Sequence, residues 1–137
     1  MDRSPLDFER LDVYRCAIDF LALAVRVTAH MPRGQSDLRD QLRRASTSVP
    51  LSSRGQRPRT ARRASACRWH DENIAEASGK TGSADRARFH AIARGSALEC
   101  AAILDVLLLF EAVTTEDAEK GKTLLSRVVA MLTKMCR

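Results

Sequence analysis

FERLDVYRCAIDFLALAVRVTAH, running from Phe8 to His30, is the stretch that decides the fold. Its residues Leu11, Tyr14, Ile18, Leu21 and Val25 recur at alternating steps of three and four. On an α-helix that spacing draws one continuous apolar stripe, of the kind that packs at a shallow angle against other helices. Phe20, Ala24 and Val27 widen the stripe, so the helix is expected to touch more than one neighbour. Met31-Pro32-Arg33-Gly34 ends it, because proline lacks the backbone donor and disfavours helix in the residue before it.

The same rhythm continues downstream. Ser36 reads as the N-cap of a second helix, with Asp37 at its positive end and Leu38, Leu42, Ala45 and Val49 on its apolar side. Gly79 to Ser83 is a break, and Ser83 a second cap with Asp85 behind it. A third helix follows through Phe89, Ile92, Ala93, Ser96, Ala97, Cys100, Leu104, Leu107 and Leu108 to about Ala112. Its middle is rich in small residues, which admit a close neighbour. Thr114 or Thr115 opens a fourth helix, striped by Leu124, Leu125, Val128, Val129, Leu132 and Met135. No strand pattern competes, so the expected class is all-α, an up-and-down antiparallel four-helix bundle occupying residues 1–137 as one domain.

One segment breaks the pattern. Residues 52–72, SSRGQRPRTARRASACRWHDE, hold Gly55, Pro58 and six arginines and offer little to bury. Pro58 and Gly55 oppose a continuous helix by roughly 3 and 1 kcal/mol. Removing these 21 residues would set Val49, Ile74 and Ala77 at steps of four and three, so the stripe resumes in phase. The segment therefore reads as an Arg-rich insertion interrupting the second helix. Either it loops out between Pro50 and Asn73, or helix resumes near Thr60 and Trp69 lies against the bundle.

The charge of +6 is concentrated there. Without the segment's six arginines and two acids, 17 basic and 15 acidic residues leave +2. Arg54, Arg57, Arg59, Arg62, Arg63 and Arg68, with Arg39 and Arg43 four apart on the second helix, are the candidate phosphate contacts to DNA or RNA. A solvated basic loop is the alternative. Cys67 lies among these arginines, which would lower its pKa if it is exposed.

Four stretches in order, FERLDVY (Phe8–Tyr14), QLRRASTSV (Gln41–Val49), NIAEA (Asn73–Ala77) and ARGSALE (Ala93–Glu99), resemble the four-helix-bundle proteins of the 23S rRNA intervening-sequence family. Ala77 stands where that family often has glycine, and the insertion separates two motifs that the family keeps in one helix. The resemblance implies the bundle and a homo-oligomer, a pentamer in members whose structures are known. It implies bacterial origin and no enzyme activity. One branch of the family, the accessory proteins of diversity-generating retroelements, binds reverse transcriptase and nucleic acid, which makes a reverse transcriptase a candidate partner.

Polar residues within these motifs, Gln41, Arg44, Asn73, Glu76, Ser96 and Glu99, are expected to form a structural network between helices, in which Arg44, if buried, demands a carboxylate such as Glu76 or Glu99; an exposed interaction surface and a ligand pocket are the alternatives. No catalytic residue, metal site, cofactor or small-molecule substrate is expected. His30, His70 and His90 do not cluster, and no HExxH, phosphate loop or nucleophile elbow is present. Cys16, Cys67, Cys100 and Cys136 form no CxxC pair, so a reducing cytoplasm is the expected location. No membrane-spanning run occurs.

Overall fold

A computed structural model describes residues 11–50 and 83–135. Within them are four α-helices and no strand: α1 (Asp12–Ala29), α2 (Ser36–Ser48), α3 (Ser83–Leu109) and α4 (Thr115–Met135), with a 3₁₀ turn at Arg33–Gln35 leading into α2. Residues 51–82 and 1–10, with the Arg-rich segment, Asn73 and Glu76, lie outside the described residues.

Each helix packs on two others. α1 contacts α2 and α4, and α3 contacts α2 and α4, so the four contacts form a ring. The core is aliphatic: Leu42 and Val49 from α2 and its end, Ile103, Leu104 and Leu107 from α3, and Leu125, Val128 and Leu132 from α4, around Phe20 of α1. Small residues let the backbones approach. Ala17 and Ala24 on α1, Ala93 and Ala97 on α3, and Ala118 and Gly121 on α4 are all buried.

The buried face of α1 is centred on the side where Phe20, Ala24 and Val27 widen the stripe, beside the Leu11–Val25 series rather than on it. Val13, Ala17, Phe20, Ala24 and Val27 are buried, at steps of four, three, four and three, with Cys16 and Leu23 beside them. Leu11, Tyr14, Ile18 and Leu21 are half-buried, and Val25 is 52% exposed. The two series are offset by one residue, about 100° around the helix, so they occupy adjacent sides. Close packing selects the side carrying alanines. The expected stripes of the other helices largely hold: Leu42, Ala45 and Val49 are buried on α2, as are Phe89, Ala93, Ala97, Cys100, Leu104 and Leu107 on α3 and Leu125, Val128 and Leu132 on α4.

Helix ends follow local chemistry. The Asp117 backbone N–H donates to Thr114 Oγ1 at 3.1 Å, so Thr114 is the cap of α4. Ser36 is not a cap. It is already in helical conformation behind the 3₁₀ turn, and the residue before α2 is Gln35, whose side chain makes no capping bond. α3 stops at Leu109, three residues short of the expected end. There Glu111 N–H donates to Leu108 O (3.0 Å) and Ala112 N–H to Leu107 O (2.9 Å), closing the last turn with Glu111 at φ 53°.

The tightest point is Gly121. A methyl group placed on its Cα would lie 2.8 Å from Leu104 Cδ1 and 3.3 Å from both Leu23 Cδ2 and Phe20 Cε2. Glycine in a helix interior costs about 1 kcal/mol relative to alanine, and here it admits side chains of α1 and α3 at once. Gly121→Val is expected to lower stability by about 2–3 kcal/mol through overpacking, read as an earlier urea midpoint with unchanged slope.

Candidate functional site

The basic residues of α2 sit beside the α1–α2 turn, and the turn occupies part of them. Arg39 is half-buried, and its Nη2 donates to Met31 O at 3.0 Å and, at the limit of bonding, to Pro32 O at 3.5 Å. Those carbonyls lie in the turn past the end of α1, and Pro32 O already accepts from the Gln35 N–H at 3.2 Å, so Met31 O is the one that depends on Arg39. Arg43, one turn on, directs Nε at Thr28 Oγ1 over 3.4 Å, and the Thr28 hydroxyl donates to Val25 O at 3.0 Å. His30 adds a third tie, with Nδ1 2.8 Å from Arg26 O. Arg39 is thus a clamp on the turn rather than an open phosphate contact. Arg43 is exposed and engaged through one nitrogen.

Arg44 is exposed, two residues and about 200° from the buried Leu42. Gln41 and Glu99 are exposed too. Of the expected polar network, Gln41, Arg44, Ser96 and Glu99 fall within the described residues, and among the described residues no hydrogen bond joins one of them to another. Ser96 instead shares a 2.8 Å hydrogen bond with Ser48, joining α2 to α3. The physical reason is the helix phase. Once Leu42, Ala45 and Val49 face the core, Gln41 and Arg44 turn outward, where a guanidinium keeps its water and needs no buried carboxylate.

The other inter-helix polar contacts lie between α1, α3 and α4. Arg94 Nε donates to Thr133 Oγ1 (2.8 Å), whose own hydroxyl donates to Val129 O (2.7 Å). Lys122 pairs with Asp105 (2.6 Å) and Arg26 with Asp117 (2.7 Å), both at the surface. Such exposed pairs contribute about 1 kcal/mol or less.

Between α1 and α4 an open groove of about 480 Å³ is lined by Asp19, Ala22, Leu23, Arg26, Lys120, Thr123 and Leu124. Sequence reasoning passed over it, since its lining comes from two helices far apart in the chain. Among the described residues no three His, Cys, Asp or Glu side chains converge as a metal site, and no helix is long and apolar enough to cross a membrane. Cys16 and Cys100 are buried free thiols. Burial, and secondarily the charge of Glu99, push the Cys100 thiol far above its ordinary range.

Of the remaining candidates, Arg54, Arg57, Arg59, Arg62, Arg63 and Arg68 lie outside the described residues, as do Asn73 and Glu76. What the described part defines is an all-helical bundle with a clamped α1–α2 turn. A model of the 23S rRNA-intervening sequence protein family matches residues 61–134, just over half of the chain. The chain belongs to that family. The match takes in all of α3, nearly all of α4, and residues 61–72, which the phase of the stripe assigned to the insertion. No curated protein matches the chain.

Two substitutions separate clamp from surface. Arg39→Met is expected to cost about 1–2 kcal/mol, since it leaves the Met31 and Pro32 carbonyls without their charged donor. Arg44→Met is expected to change stability by less than about 0.5 kcal/mol. Paired urea titrations check both.

The Cys100 thiol adds a pH dependence. A folded pKa raised above the ordinary value of 9.0 means that the unfolded chain loses this proton first. The stability that this group contributes is intact below about pH 9 and falls as pH rises above it. Replacing Cys100 with alanine is expected to flatten the alkaline limb of the stability–pH curve.

Proposed function

We propose that the protein is a non-enzymatic bundle that self-associates and acts as a scaffold touching nucleic acid without regard to sequence. The observation that carries this reading is the concentration of charge: a chain of net +6 falls to +2 without residues 52–72. Phosphate neutralisation needs several cations in one place, and six arginines in 21 residues supply them. The α2 edge adds Arg43 and Arg44, diluted by the exposed acids Asp37 and Asp40. Self-association would multiply such contacts, as each subunit brings another copy.

The bundle in this reading is up-and-down and antiparallel. Its support is the order of the cross-helix contacts: Asp105 with Lys122 and Arg94 with Thr133 between α3 and α4, and Arg26 with Asp117 alongside Gly121 against Leu23 and Phe20 between α1 and α4. In each pair the residue number rises on one helix as it falls on the other. Membership of the family supports a bacterial, cytoplasmic oligomer, a pentamer by resemblance, with a reverse transcriptase as one protein partner to test.

Light scattering on the intact chain is expected to give a multimer, and a monomer at all concentrations would overturn the self-association. Binding to labelled single-stranded and duplex oligonucleotides is expected near 50 mM salt and to weaken steeply by about 200 mM. Replacing the six arginines of residues 52–72 with glutamine, which keeps the chain length and the matched residues 61–72, is expected to abolish it while the helical signal and melting remain. Absence of binding at low salt leaves a structural oligomer with a tolerated basic loop.

A further inference from the structure

The turn between α3 and α4 presents apolar side chains that the core does not use. Leu107 is buried and Leu108 half-buried, but Leu109 is 85% and Phe110 59% exposed. The next residue, Glu111, is the only non-glycine residue with positive φ among the described residues. A side chain in that left-handed region costs roughly 1–2 kcal/mol, which glycine avoids. The tip thus carries two apolar side chains outward and a carboxylate held next to them in a conformation that disfavours it.

The groove between α1 and α4 has the opposite chemistry. Ala22, Leu23 and Leu124 give it an apolar floor, Lys120 and Thr123 line it from α4, and the exposed Asp19 stands on the α1 side, so Lys120 is the side to which an incoming acid is drawn. Arg26 in the same wall is held by Asp117, whereas Lys120 has no ion-pair partner among the described residues. Its volume of about 480 Å³ falls in the range of sites that enclose a compact apolar group.

We propose that Leu109 and Phe110 of one copy seat in the α1–α4 groove of a second copy, with Glu111 brought to Lys120. The proposal rests on the self-association argued above and names the surfaces through which it occurs. The argument for a second copy is complementarity within one chain: two apolar side chains followed by an acid on the tip, an apolar floor with an unpaired lysine in the groove. Tip and groove are different patches, so the contact is heterologous. It repeats from copy to copy and closes into a ring when the rotation between copies divides a full turn. One seated Phe–Leu pair buries less than the 1,200 Å² or so of a stable two-body interface, and ring closure makes up the difference by engaging every subunit twice.

The test uses the full chain in two variants. The tip variant carries Leu109→Ser and Phe110→Ser, and the groove variant carries Ala22→Glu and Lys120→Glu. All four positions are exposed, and circular dichroism and melting confirm that each variant folds. By light scattering each variant alone is expected to be monomeric where the wild type is assembled. In an equimolar mixture only the groove of the tip variant and the tip of the groove variant remain intact, so no ring can close, and a weak one-to-one contact is expected at high concentration, read by chemical-shift changes at groove residues such as Leu124. Separately, Lys120→Glu alone is expected to weaken assembly about tenfold, and Glu111→Lys added to it to restore assembly. Variants that assemble like the wild type, a concentrated mixture with no chemical-shift change in the groove, or a charge swap that fails to restore assembly would overturn the tip-and-groove contact. A wild type that is itself monomeric overturns the self-association instead.

Discussion

Three helices meet at Gly121 with no space for a methyl group. Leu104 of α3 and Leu23 and Phe20 of α1 all reach the position where its side chain would begin. The missing side chain at Gly121 makes room for the large Phe20 and Leu23 on the inner side of α1, where Ala17 and Ala24 are buried beside them. With α1 turned that way, Val25 is left at the surface. The clamp at the α1–α2 turn follows from the same placement, since Thr28 and Met31 are positioned to meet Arg43 and Arg39.

The sequence made the helices legible and one of their faces illegible. Thr114 announces α4 because a hydroxyl before two acids is a strong local signal, and the Leu42–Ala45–Val49 series marks the inner side of α2 without a rival. α1 carries two series with the same three–four rhythm on adjacent sides, one residue apart, and periodicity has no means of ranking them. The choice is tertiary: it depends on how near a second and third backbone come. Ser36 failed as a cap for a local reason, since the 3₁₀ turn at Arg33–Gln35 starts the winding three residues earlier.

The candidate site was less legible than the fold. Arg39 and Arg43 share a helix face, as their spacing says, yet spacing does not reveal that Met31 O lies 3.0 Å from one and Thr28 Oγ1 3.4 Å from the other. The expected network around Arg44 needed a buried guanidinium. The helix phase that buries Leu42 turns Arg44 outward, so the expectation of the core and that of the network were in conflict on the same helix. The tip at Leu109 and Phe110 was visible only as the continuation of an apolar run. Its exposure depends on where α3 stops, and a left-handed glutamate is an unusual stop signal.

The ring of helix contacts is not uniform along the chain. Asp105 and Lys122 tie α3 to α4 across 17 positions, whereas Arg26 and Asp117 tie α1 to α4 across 91. By loop-closure entropy the longer tie costs roughly 1.5 kcal/mol more chain freedom. The seam between the first and last helices is therefore the one that needs the densest local packing to hold it shut. It is also where Gly121 lets Phe20 and Leu23 come closest to the α4 backbone. The most distant partners in sequence are joined where α4 presents no side chain of its own.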